Sequence, residues 1–211
     1  MADLVKLKEI MIDLKEEEVY ELLTELMSAG GSDAQAALET CQEAMTEIGN
    51  RFETGVYFLG DLLYSSEIMS AAVDILKPAL SAGSTVKLGK LVICTVKGDI
   101  HDIGKNIVKG MLEAAGFDVI DLGIDVLPEK IVATAATEDV KIVALSGVLT
   151  LALRSMQDVV DAFVAAGTRD DVKIIIGGNP VTVDACAVIG ADEWANSPQK
   201  GVEVCRVWAT S

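Results

Sequence analysis

The chain has 211 residues, 51% of them hydrophobic, which is enough for one medium or two small apolar cores and too much for wholesale disorder. Aromatics are only 4%, and the Ala, Val, Ile and Leu that take their place suit layered helices and strands better than an aromatic-rich sandwich. Seventeen basic against 33 acidic residues give a net charge of −16, which repels phosphate backbones and anionic lipid and weighs against nucleic acid or a membrane surface as partner.

From Leu4 to about Ala82 the apolar period is helical. A short first helix is expected over Leu4–Leu14. Val19, Leu22, Leu23, Leu26 and Met27 then form one stripe of an amphipathic helix that Gly30 and Gly31 stop. Ser32 with Gln35 reads as a capping box for the next helix, carried inward by Leu38, Cys41, Met45, Ile48 and Phe52 and ended by Gly55. A fourth helix is expected from about Phe58 to Leu80. Residues 1–82 therefore read as a four-helix unit, and the small polar stretch from Ser81 to Thr85 places a linker over 83–89.

Beyond the linker the texture changes. Leu91–Val96, Val119–Leu122, Lys141–Leu145 and Lys173–Ile176 are short apolar runs rich in β-branched residues, and Ala191–Ala195 is a weaker fifth. Helical stretches at 104–115, 128–137, 155–166, 181–189 and 198–207 alternate with them. Strands buried on both faces and interleaved with helices imply a parallel sheet covered on each side. Residues 90–211 thus read as a flavodoxin-like, Rossmann-type doubly wound sheet of five strands in the order 2-1-3-4-5. No apolar run approaches the ~20 residues that span a bilayer. Met1–Lys6 has no basic stretch followed by an apolar core, and Cys41, Cys94, Cys186 and Cys205 form no C-x-x-C pair. The expectation is a cytoplasmic protein with four reduced, mostly buried thiols.

Ligands of such sheets bind beyond the carboxyl ends of the strands, so the loops after strands 1, 3 and 4 matter most. The first, Lys97-Gly98-Asp99-Ile100-His101-Asp102-Ile103-Gly104-Lys105-Asn106, holds the only histidine of the chain. Gly98 and Gly104 let main chain approach a large ligand. Asp99 can accept a hydrogen bond from one ring nitrogen and leave the other for a metal. One histidine cannot hold zinc, which needs three or four protein ligands, so the remaining coordination must come from elsewhere, as a macrocycle would provide. The second loop offers Ser146 and Thr150 beside Gly147. The third offers Gly177-Gly178, with Asn179-Pro180 reading as cap and first residue of the next helix. No G-x-G-x-x-G or G-x-x-x-x-G-K-[ST] follows strand 1, so phosphate cradles for NAD or ATP are not supported, Lys105 notwithstanding.

Asp99-Ile100-His101-Asp102-Ile103-Gly104 resembles the D-x-H-x-x-G signature of cobalamin-binding domains of the methionine synthase type. Ser146, Leu149 and Thr150 resemble that family's second signature and Gly177-Gly178 its third. The stretch from Arg51 to Leu59 is similar to its helical cap segment. The whole chain is similar to the corrinoid proteins of multi-component methyltransferases. Gly60 stands where the family commonly has proline, which is expected to loosen the start of the last cap helix. Asn179 replaces a frequent alanine, and Asn196-Ser197 falls where an acidic residue is common.

This resemblance implies a cobalamin or related corrinoid, as methylcobalamin or cob(I)alamin, bound with its own lower base detached and His101 as axial ligand to cobalt. It further implies contacts from Gly98, Asp99, Asp102, Ile103, Gly104 and Leu149, a nucleotide tail lined by Ser146 and Thr150 with room made by Gly177 and Gly178, and a cap of Phe52, Leu59 and Leu62 over the methyl group. The implied function is a methyl carrier without acid–base catalysis of its own. Its partners would be a substrate methyltransferase, an acceptor methyltransferase using tetrahydrofolate, and a reductive activator. An aromatic methyl ether is the first expected donor, in the manner of O-demethylase systems, with methanol and methylamines beside it. A sensor or storage module is the alternative. A mutase domain is disfavoured by the helical cap.

Overall fold

The computed structural model describes residues 3–80 and 88–210. The expected linker at 83–89 lies mostly outside the described residues, and the first strand already starts at Gly89. Two compact units are present, one formed by the N-terminal helices and the other by the sheet with its flanking helices.

The helical unit comprises α1 (Leu4–Ile12), α2 (Glu16–Ser28), α3 (Ala34–Glu53) and α4 (Leu59–Leu80). Leu7, Ile10, Met11, Val19, Leu23, Cys41, Ile48, Leu62, Met69 and Leu76 are buried between them, and α3 packs on both α1 and α4. The first helix ends two residues earlier than expected, because Leu14 adopts a left-handed φ of +57°. The capping box does not form: Asp33 is the N-cap, Gln35 donates to Glu39 at 2.9 Å, and Ser32 points its hydroxyl at Asp33. Gly55 (φ +76°) ends α3, and the turn into α4 is pinned by Tyr57, whose hydroxyl donates to the Ile12 carbonyl at 2.6 Å. Despite Gly60, α4 starts in order at Leu59, since the Phe58 N–H donates to the Asp61 carboxylate at 2.8 Å.

The second unit runs β1 (Gly89–Thr95), α5 (Ile103–Ala114), β2 (Phe117–Asp121), α6 (Pro128–Thr137), β3 (Ile142–Ser146), α7 (Ala152–Ala165), β4 (Lys173–Gly177), α8 (Val183–Ile189), β5 (Glu193–Ala195) and α9 (Pro198–Ala209). All strands are parallel, in the order β2-β1-β3-β4-β5. Alternation of side chains assigns each face its work. Val92, Cys94, Val143, Leu145, Ile174 and Ile176 join Ile131, Met156, Val159, Phe163 and Ile189 of α6–α8 in one core. Ile93, Ala144 and Ile175 turn to the other face, where α5 and α9 lie. The register aligns Thr95 with Ser146, Ser146 with Gly177 and Gly177 with Ala195, so four strands end level with one another.

In this unit two helix starts differ from expectation by two residues or more. The α7 helix begins at Ala152, three residues early. The α8 helix begins at Val183, with the Thr182 hydroxyl accepting from Ala185 N–H at 3.2 Å, so Asn179-Pro180 is not its cap. The segment before it folds as a turn closed by Val181 N–H on the Gly178 carbonyl. All four cysteines are free and buried, and burial pushes the thiols of Cys41, Cys94 and Cys205 up to about 12. No helix among the described residues is long and apolar enough to cross a membrane.

Candidate functional site

The loops after the level strand ends converge on Asp99. Its carboxylate is buried and fully committed: Oδ1 accepts from the His101 main-chain N–H and lies 2.9 Å from His101 Nδ1, while Oδ2 accepts from the N–H groups of Val148 at 2.7 Å and Leu149 at 3.1 Å. Burial alone would raise the pKa of this carboxyl. The donors from His101, Leu149 and Val148 outweigh it and hold the group down at about 2. An ionised Asp99 against Nδ1 selects the tautomer with the proton on Nδ1, which leaves Nε2 with its lone pair. The His101 side chain is half exposed, so that nitrogen is accessible.

Glycines make the close approaches possible. A Cβ at Gly178 (φ +123°) would run into the Gly147 carbonyl, and one at Gly147 would strike Ala152. Gly177 carries its carbonyl 3.1 Å from Gly147 N–H, locking the β3 and β4 loops together. Gly104 has open space where its side chain would be and lies on the wall of a cleft.

That cleft, of about 440 Å³, runs between the sheet and helices α5 and α9. Ile93, Ala144, Ile175, Val108, Ala195 and Cys205 supply apolar wall, and Ser146, Asn179, Asn196 and Ser197 supply polar groups. Lys105 also borders it. This lysine is 2% exposed, with its ammonium 2.6 Å from Asp121 and 2.7 Å from the side-chain amide oxygen of Asn106. Burial works against ionisation of Asp121, and the bonds from Lys105 and Gly123 N–H win, lowering its pKa.

Of the residues expected from sequence, Gly98, Asp99, His101, Asp102, Ile103 and Gly104 share one loop and helix start. Ser146, Gly177 and Gly178 border the cleft. Thr150 is exposed and outside the cleft lining, and Leu149 enters through its main-chain N–H to Asp99. In the helical unit Phe52 is half-buried and Leu59 exposed, whereas Leu62 is wholly buried among the helices. Sequence reasoning passed over Asp125, whose carboxylate accepts from Gly98 N–H, and the Lys105–Asp121 pair. A polar residue in left-handed conformation carries no signature in one dimension, and an ion pair 16 residues apart becomes visible only once β2 lies beside β1.

Among the described residues no group of three or more His, Cys, Asp or Glu side chains could enclose a metal. A single oriented imidazole, on a loop whose helix start at Gly104 and Lys105 borders a largely apolar cleft, fits a metal whose other ligands come with it. Comparison with known proteins agrees. A family model described as B12 binding domain matches residues 89–199, and a second with the same description matches residues 4–77. The chain belongs to the B12-binding corrinoid proteins.

Its relatives include trimethylamine corrinoid protein 1 of Methanosarcina mazei, 36% identical over 92% of this chain and 91% of that protein. Dimethylamine corrinoid protein 2 of Methanosarcina acetivorans is 35% identical over 89% of this chain and 94% of that protein. Among solved structures, a cobalamin-binding protein from Desulfitobacterium hafniense DCB-2 is 45% identical, with a TM-score of 0.87 and 99% coverage of both chains. The methanol:cobalamin methyltransferase complex MtaBC of Methanosarcina barkeri shares the fold at a TM-score of 0.81 and 23% identity, over 97% of this chain and 78% of that one. The cofactor of this corrinoid protein is cobalamin or a related corrinoid.

Proposed function

We propose that this corrinoid protein is a methyl carrier. It receives a methyl group from one methyltransferase and delivers it to a second, with tetrahydrofolate as acceptor and a reductive activator to restore the cofactor. The buried Asp99 that orients His101 is the observation that carries this reading. When bound, the corrinoid supplies a cobalt centre that takes up and releases methyl groups. His101 Nε2 would be the protein's ligand to that cobalt, and Asp99 would hold the ring in the ligating tautomer while its other oxygen ties the β1 loop to the β3 loop. The cleft between the sheet, α5 and α9 takes the nucleotide tail, with Ser146 on its wall and Gly177 and Gly178 making room. Exposed Ile100, Ile103, Val148 and Leu149 offer apolar ground for the macrocycle. Phe52 and Leu59 of the helical unit, with exposed Val56 and Phe58 nearby in sequence, are assigned to cover the methyl group; Leu62, wholly buried within the bundle, is not available for that role.

The test begins with the reconstituted holoprotein. The Co(II) form should show splitting from one imidazole nitrogen in its electron paramagnetic resonance spectrum. His101→Ala should abolish that splitting and retain less corrinoid, and a variant with the parental spectrum would remove His101 from the metal. The reduced holoprotein should then be methylated by methyl iodide, as followed by visible absorption. A protein that binds corrinoid but never accepts the methyl group is a sensor or store instead. The donor follows from a panel of partner methyltransferases. Trimethylamine and dimethylamine enter it from the named relatives, methanol from the complex that shares the fold, and a phenyl methyl ether from the sequence expectation.

A further inference from the structure

The loop that carries His101 is held from two directions, and only one of them is Asp99. The other is the connection between β2 and α6, where Asp125 adopts φ +52°, a left-handed conformation that non-glycine residues seldom take and that Asp and Asn tolerate best. Asp125 Oδ1 accepts from the Gly98 N–H at 2.7 Å. Its own N–H reaches the Thr95 hydroxyl oxygen at 2.9 Å and the Asp99 carbonyl at 3.1 Å. Thr95, fully buried at the end of β1, donates its hydroxyl to that same Asp99 carbonyl at 2.6 Å. Main-chain groups on both sides of the Asp99 Cα are thereby fixed, Gly98 N–H before it and the Asp99 carbonyl after it. The flanking Lys97 and Ile100 side chains are exposed and contribute little packing to hold the loop.

We propose that Asp125 is a positioning residue for the axial ligand: by clamping the main chain at Gly98 and Asp99 it sets the height and direction of the His101 imidazole. This rests on the reading of His101 as the ligand to cobalt. The physical demand is strict, because a ligating side chain serves only if its support holds it within about 0.5 Å of the productive position. A short hydrogen bond from a main-chain N–H to a side-chain oxygen, carboxylate or amide, is the kind of contact that does so. The left-handed φ matters too, since it aims the Asp125 N–H at β1 while its carboxylate turns back to Gly98.

Two substitutions separate the carboxylate from the backbone conformation. Asp125→Gly keeps the positive φ and removes the acceptor, whereas Asp125→Asn keeps both an acceptor oxygen and tolerance of that φ. In the full-length, corrinoid-free chain, Asp125→Gly should accelerate hydrogen exchange at the Gly98 amide. With cobalamin added, it should bind roughly tenfold more weakly. The Co(II) resonance should lose a large share of its imidazole splitting, while Asp125→Asn should stay within about twofold of the parent in affinity. Parental splitting and affinity in Asp125→Gly would overturn the proposal, and so would an Asn variant as impaired as the Gly variant. Should Asp125→Gly fail to fold, the Asn variant and the protection of Gly98 in the unaltered chain decide, and an unprotected Gly98 amide sinks the clamp. If the unaltered holoprotein shows no imidazole splitting at all, the ligand reading itself fails and takes this proposal with it.

Discussion

A side chain at residue 178 has no room on either count that matters. The main chain there sits at φ +123°, and a Cβ would collide with the carbonyl of Gly147, which is backbone and cannot swing aside. Gly178→Ala should therefore cost about 2–4 kcal/mol in urea unfolding, from strain and displaced main chain together. The displaced segment leads straight into Val148 and Leu149, whose N–H groups hold Asp99, so corrinoid retention should fall with stability. Gly104 makes the opposite case. A Cβ there meets nothing within 4 Å, and the residue sits in the first turn of α5. Gly104→Ala should leave the corrinoid-free chain unharmed, or up to about 0.5–1 kcal/mol more stable through helix propensity, and still weaken corrinoid binding by filling the cleft wall. A Gly104→Ala chain that binds corrinoid as tightly as the parent would show that the open space serves no ligand.

The short strand β5 shows how an element of three residues keeps its place beside a longer one. Just before it, Asp192 donates its N–H to the Ile174 carbonyl and accepts from Ile174 N–H at 2.8 Å. Arg169 at 2.8 Å and Lys173 at 3.2 Å complete the carboxylate's partners. Burial pushes the Asp192 pKa up, but Ile174 N–H, Lys173 and Arg169 push harder, and it ends below its ordinary value of 3.8. A depressed carboxylate stabilises the folded chain above its unfolded pKa and loses that contribution as pH falls through the folded one. Asp192→Asn should thus cost about 1–3 kcal/mol near pH 7, and the gap between parent and variant should close below about pH 4. Equal losses at pH 7 and pH 3 would count against the ion pairs. What holds β5 also holds the cleft, since Ala195, Asn196 and Ser197 follow directly and line it.

Elements of this kind were readable in the sequence to different degrees. The buried strands announced themselves as runs of β-branched residues, and their parallel order followed from the helices between them. The D-x-H spacing correctly paired Asp99 with His101 because a contact over two residues is local. The second hold on Asp99 is not local: its donors lie 49 and 50 residues away, on main-chain atoms that no residue type marks. Two helix starts were misread at their caps. The N-cap position of α3 falls on Asp33, one residue past Ser32, and Thr182 caps α8 in place of Asn179, whose neighbourhood was already committed to the turn at Gly178.

At the scale of the whole molecule, the groups that would ligate cobalt, orient the ligand and enclose the tail all lie between Gly89 and Cys205, within one unit. That unit has a continuous five-stranded sheet and its own core of buried Val, Ile, Leu, Met and Phe. The helical unit has a separate core and keeps Val56, Phe58, Leu59 and Leu63 exposed, more apolar surface around one turn than it needs to fold. Binding and protection should therefore separate experimentally. A fragment spanning residues 88–211 should fold, bind cobalamin and show the imidazole splitting of the full chain, because no residue of that constellation has been removed. The same fragment should lose its bound methyl group to light or to added thiols faster than the full chain, since it lacks the apolar side chains assigned to cover it. A fragment that folds, as judged by circular dichroism, yet cannot bind cobalamin would mean that the helical unit supplies binding energy. A fragment that protects the methyl group as well as the full chain would leave Phe52 and Leu59 without their proposed role.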